Sequence, residues 1–137
     1  MGECNTDIQL ESRELNQYSS LALAFLGDAV YEQLVRLKLL LDANRPVGQL
    51  HKLKTEKVCA SYQAKAVNVI LPILTENEQA VLKRGRNATG TTVPKHSSAS
   101  EYRHATGLEA LFGYLYLKGE TQRIDEIFKL IWDMQVD

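Results

Sequence analysis

The apolar positions fall into helical runs with little sign of strands. From Ser19 to Leu41 the chain has no proline and no alternation of period two, and its apolar residues are too continuous for a helix with one exposed side. The pattern predicts one long, mostly buried helix. Pro46 suits a first helical turn, and the stretch from Val47 through Val58 to about Leu71 reads as one or two further helices ending near Pro72. Thr75 with Glu78, and Ser98 with Glu101, have the capping-box spacing in which a hydroxyl and a carboxylate satisfy the free amides of a first turn, so each pair starts another helix. Ile124, Ile127, Phe128 and Ile131 form the stripe of an amphipathic last helix, with Gly119 as the stop before it. The fold class is all-α, a single helical bundle over residues 15–137, with residues 1–14 expected to be a disordered tail.

Between the fourth and fifth helices lies Arg84 to Ser98, rich in glycine, threonine and serine. Helical domains usually join neighbours with about 2 to 8 residues, so a connection this long is either functional or disordered. Arg84 and Arg86 flank Gly85 where the helix is expected to end, and Lys95 and His96 stand beyond the tip, an arrangement able to donate to phosphates from both ends of the segment. An ordinary helix cap followed by mobile surface has the same composition.

Composition narrows the class. With 137 residues, 45% of them hydrophobic and 24% charged, the chain makes one domain with a full core. No apolar run approaches the roughly 18 residues of a membrane span, and the first residues hold no hydrophobic stretch for a secretory signal, so a soluble cytoplasmic protein without a membrane partner is expected. Two cysteines, Cys4 and Cys59, are too few for a disulfide framework and lack neighbours at zinc-ligand spacing. The net charge of −1 conceals a division: residues 1–44 carry −4, residues 45–104 carry +6 together with all three histidines, and residues 105–137 carry −3. A basic middle third either mixes with its flanks in space or gives one positive face suited to a polyanion. His51, Lys54 and Lys57 recur every third residue, which on a helix places them along one flank, beside which Arg84, Arg86 and Lys95 can line the same surface.

Two carboxylates stand out. Asp28 lies amid Phe25, Leu26, Ala29 and Val30, and Glu109 is the sole charge between Ala105 and Leu117. A buried carboxylate needs a cation, a water-filled cleft or a metal. A salt bridge to Arg103, Arg36 or a lysine answers this for either acid alone. Two such acids on the two most apolar helices are better explained together, converging on one hard cation. Magnesium is the expected ion, since it takes one or two carboxylates and keeps waters for a phosphate substrate, with manganese as a substitute. Glu32, one turn after Asp28, either adds a third ligand or is salt-bridged. Gly27 in mid-helix costs about 1 kcal/mol against alanine, a cost that makes sense where two backbones approach closely. If the second backbone belongs to another copy, Phe25, Leu26 and Gly27 form a dimer interface; otherwise Phe25 and Leu26 fill a monomer core.

Ala24-Phe25-Leu26-Gly27-Asp28-Ala29 resembles the signature of the ribonuclease III catalytic domain, and Thr106-Gly107-Leu108-Glu109-Ala110-Leu111-Phe112-Gly113 resembles that family's second acidic motif. The run Leu15-Asn16 to Ala24, the run Lys83-Arg84-Gly85-Arg86-Asn87-Ala88, and Tyr102-Arg103 are similar to the Mini-III branch, which consists of the catalytic domain without a double-stranded-RNA-binding domain. Where the wider family has further acids, this chain has Ala24 and Thr106, as that branch does. The resemblance implies a homodimer with two active sites along a basic valley. It also implies hydrolysis of double-stranded RNA to 5′-phosphate and 3′-hydroxyl ends, with Asp28 and Glu109 as catalytic metal ligands. His51, Lys54, Lys57, Lys83, Arg84, Arg86, Asn87, Lys95 and Arg103 are then the candidate RNA-binding residues. The substrate it implies is the precursor of large-subunit (23S) ribosomal RNA, with a ribosomal protein as a candidate partner at the pre-ribosome. A degenerate domain that binds structured RNA without cutting it is the alternative.

Overall fold

The computed structural model describes residues 8–88 and 98–134. Among these residues there are seven α-helices and no strand: α1 (Ser12–Leu15), α2 (Ser20–Asp42), α3 (Val47–Val58), α4 (Ala60–Ile70), α5 (Glu76–Asn87), α6 (Ala99–Lys118) and α7 (Thr121–Trp132), with a 3₁₀ turn at Leu71–Ile73. The expected long helix is α2. The stretch after Pro46 is two helices, because Cys59 takes up extended backbone (φ −69°, ψ 157°) and serves as the end of α3 and the start of α4. Pro72 sits in the 3₁₀ turn that closes α4.

Both caps start helices where the sequence puts them, with a full capping box at Thr75–Glu78 and the hydroxyl half alone at Ser98–Glu101. Thr75 Oγ1 accepts from the Glu78 amide at 3.1 Å and Glu78 Oε1 accepts from the Thr75 amide at 2.9 Å, while Ser98 Oγ accepts from the Glu101 amide at 3.1 Å. Gly119 ends α6 at φ +81°, a conformation that favours glycine. Glu78 has a second task. It is buried, and Arg123 of α7 donates to both its oxygens at 2.9 and 2.8 Å and to the Ile73 carbonyl at 2.7 Å, so one guanidinium ties α5, α7 and the 3₁₀ turn together. Burial alone would raise the Glu78 pKa, but the hydrogen bonds from Arg123 and Thr75 outweigh it and hold the carboxyl below its ordinary range.

At the centre is α6, apolar nearly all round, with Leu108, Ala110, Leu111 and Phe112 wholly enclosed by α2, α4, α5 and α7. Two close crossings set the geometry. A Cβ on Gly27 of α2 would collide with the Glu109 carbonyl and stand 2.7 Å from the Gly113 amide of α6; a Cβ on Gly85 of α5 would stand 2.9 Å from the Gly107 Cα. Glycine is required at these crossings because backbone meets backbone.

Three expectations change. Residues 8–14 are placed, not a tail: α1 begins at Ser12, and the Leu10 amide donates to the Leu117 carbonyl at 2.7 Å. The helix expected to end at Gly85 runs on to Asn87, so Arg84, Arg86 and Asn87 are helical. The close approach at Gly27 is made to α6 of the same chain, so Gly27 is buried and unavailable to a second copy. Residues 89–97, with Lys95 and His96, lie outside the described residues, as do 1–7 and 135–137.

Candidate active site

The crossing of α2 with α6 builds the site. Gly27 abuts the backbone of Glu109, so the next residue of α2, Asp28, comes into hydrogen-bonding reach of the Glu109 side chain. The two acids that stood out in the sequence are neighbours. Their surroundings differ from the expectation: Asp28 is exposed, together with Phe25 and Ala29 on the outer side of α2, and only Glu109 is partly buried. The site is therefore open at Asp28 and closed behind Glu109. Burial, then the negative charge and hydrogen bond of Asp28, push the Glu109 carboxyl up to about 8, opposed by a hydrogen bond from Gln63.

Gln63 was not anticipated. It is 2% exposed, and its Nε2 donates to the Val58 carbonyl at 2.9 Å and to Glu109 Oε2 at 3.5 Å. A signal for it was present, because Gln63, Ala66, Val67 and Ile70 share the buried stripe of α4 and Gln63 is the one polar member. Tyr31, fully buried against Phe112 and Phe128, donates to the Lys57 carbonyl at 2.7 Å. Burial, with Tyr62, Cys59 and Glu109 nearby, raises its pKa, so the phenol stays protonated and keeps donating. Tyr31 and Gln63 thus satisfy successive carbonyls at the end of α3 and fix that end beside the acids.

The donor set fits one hard cation. Two carboxylates side by side, one of them open to water, are what magnesium or manganese takes while keeping part of its hydration. A third acidic ligand is not supplied: Glu32 pairs with Arg36 at 2.9 Å, Thr106 Oγ1 turns back to the Tyr102 carbonyl at 3.0 Å, and no cluster of three or more acidic, histidine or cysteine side chains occurs among the described residues.

The basic residues divide. Lys83, Arg84 and Asn87 are exposed on the last turns of α5, Arg86 is half-buried beside Gly107, and Arg103 is exposed on α6. His51 and Lys54 line a recess with Arg36, Leu40, Val47 and Leu50. Lys57 departs from their flank: its Nζ lies 4.8 Å from the Tyr62 ring centre and 5.1 Å from that of Trp132, a cation–π contact within the chain. Phe25 is 85% exposed, whereas Leu26 is half-buried against the core.

The described residues form an all-helical domain with paired carboxylates at a glycine crossing and basic residues at the end of α5. Comparison with known proteins gives its family. The Ribonuclease III domain family matches residues 21–120. The chain is 44% identical over 126 residues to the Mini-ribonuclease 3 of Thermoanaerobacter sp. (strain X514), covering 92% of this chain and 88% of that one. It is 45% identical over 113 residues to the Mini-ribonuclease 3 of Symbiobacterium thermophilum, covering 82% and 87%. The crystal structure of a Fusobacterium nucleatum protein superposes with a TM-score of 0.79 at 34% identity, covering 87% of this chain and 95% of that one. The chain belongs to the ribonuclease III family of endoribonucleases, in its Mini-ribonuclease 3 branch.

Proposed function

We propose that the protein is a homodimer that hydrolyses double-stranded RNA in a magnesium-dependent reaction, leaving 5′-phosphate and 3′-hydroxyl ends, with Asp28 and Glu109 as the cation ligands. The observation that carries this reading is the juxtaposition of those two carboxylates at the α2–α6 crossing. When bound, the cation supplies an activated water and neutralises charge on the scissile phosphate. The chain's own residues do the rest. Asp28, exposed at the mouth, meets the incoming cation and phosphate, and Glu109 is held behind it by Gln63. His51, Lys54, Lys83, Arg84, Asn87 and Arg103 take phosphates along the duplex, whose A-form groove hides its base edges, so recognition is by shape and charge. Lys57 serves by packing instead. The exposed Phe25 supports pairing of α2 with its counterpart in a second copy. The physiological substrate we infer, through the family resemblance, is the precursor of large-subunit ribosomal RNA, with a ribosomal protein as companion there.

The test is incubation of the protein with a long RNA duplex, with magnesium or with a chelator, followed by analysis of product ends. Discrete shortened duplexes bearing 5′-phosphates, formed only with the cation, are expected. An intact duplex that is nonetheless bound would make the protein an RNA-binding domain without cleavage.

A further inference from the structure

The carboxamide of Gln63 is incompletely used. Its Nε2 spends both hydrogens on acceptors, the Val58 carbonyl at 2.9 Å and Glu109 Oε2 at 3.5 Å, and this fixes the orientation of the amide, since the reverse would set oxygen against two oxygens. Oε1 is then left buried, and no described residue donates to it. A buried acceptor without a donor costs about 1–3 kcal/mol, so an apolar side chain of the same size would serve the core better if packing were all that mattered. The position is on the stripe where Ala66, Val67 and Ile70 are apolar. What distinguishes Gln63 from them is its neighbour, Glu109.

We propose that Gln63 is a positioning residue for the cation site: its Nε2 holds the Glu109 carboxylate toward Asp28 while its Oε1 accepts a hydrogen bond from the hydration water of the cation. The inference rests on the reading of Asp28 and Glu109 as the cation ligands. A divalent cation that keeps part of its hydration brings water donors beside the Asp28–Glu109 pair, and Gln63, bonded to Glu109, is the neighbour with an acceptor to spare. Partners behind the ligands, orienting them and the water, typically change affinity for the metal by about 10–100-fold. The anchor on Val58 makes the arrangement stiff, because that carbonyl closes α3 next to the Lys57 carbonyl held by Tyr31.

Two substitutions of Gln63, with Asp28→Asn as the reference, and three measurements test it. Gln63→Met keeps the volume and removes both donor and acceptor; Gln63→Glu keeps acceptors and removes the donor. Manganese binding is titrated without RNA, cleavage of an RNA duplex is measured in magnesium at saturating and subsaturating substrate, and thermal stability is measured in chelator. Gln63→Met is expected to weaken manganese binding about tenfold or more and to lower kcat with little change in RNA affinity. Gln63→Glu is expected to retain manganese binding yet also lose kcat, because a carboxylate cannot donate to Glu109. A purely structural role would lower thermal stability in both variants and leave manganese affinity and kcat of the folded protein unchanged, which overturns the proposal. If Gln63→Met does not fold, Gln63→Glu decides: unchanged kcat overturns it. Wild-type protein that binds no manganese, or Asp28→Asn protein that binds it undiminished, overturns the ligand reading and this inference with it. Normal wild-type binding with indifferent Gln63 variants overturns this inference alone.

Discussion

The surroundings of Glu109 disfavour its charged form. Its carboxyl is half-buried beside Asp28, so the folded protein keeps a proton that the unfolded chain would release between the ordinary carboxylate range and about pH 8. Because the folded pKa is raised, folding binds protons in that window, and stability falls as pH rises through it. Glu109→Gln removes this penalty. In chelator, its melting temperature should exceed wild type by several degrees at about pH 9, with the gap closing at about pH 5, where both forms are neutral at this position. An equal gap at both pH values would mean that the charge is not at issue. The two acids were legible in the sequence as isolated charges in apolar runs, but their burial was not. The apolar residues around Asp28 include Phe25 and Ala29, which lie on the outer side of α2. Gln63 was passed over because, among the other polar residues Ser61, Lys65 and Asn68 of α4, it attracts notice only once the buried stripe is known.

Among the elements, the α2–α6 crossing does most to define the site. Gly27→Ala would drive a methyl group into the Glu109 carbonyl, so the helices must separate. The expected cost is on the order of 1–3 kcal/mol or more, with a loss of activity larger than the loss of stability explains, because Glu109 moves away from Asp28. Gly48→Ala is the control: nothing lies within 4 Å of a Cβ there, and a helical alanine should stabilise α3 by about 0.5–1 kcal/mol. Thermal melts of both variants, with cleavage rates measured well below the melting point, check this. Helix starts were legible because caps are local, as at Thr75 and Ser98. Glycines were legible in part: Gly119 read as an end and Gly27 as a close crossing, but Gly85, read as an end, is a second crossing. Only the helix on the other side distinguishes the two.

At the scale of the whole molecule, α2 leaves Leu21 and Phe25 exposed near its start and Leu37, Leu40 and Leu41 exposed near its end, uncovered by the described residues. Helical spacing alone gave no sign that a helix so apolar would keep these residues in water. Under the proposed homodimer a second copy would cover Phe25, and Phe25→Glu tests this by placing two symmetry-related charges where they would have to lose their water. The variant is expected to sediment as a monomer, with its helical content retained and its cleavage lost. A fully dimeric Phe25→Glu protein would move the interface elsewhere.

The central claim is that Asp28 and Glu109 act as one cation site. It is tested most directly by the single-turnover cleavage rate of an RNA duplex in magnesium for Asp28→Asn, Glu109→Gln and the double variant, with RNA binding measured in parallel. Each single substitution should lower the rate on the order of a thousandfold or more while leaving RNA affinity nearly unchanged, and the double variant should be little slower than either, because ligands of one ion fail together. Near-wild-type cleavage by Asp28→Asn, or losses that multiply in the double variant, would contradict it.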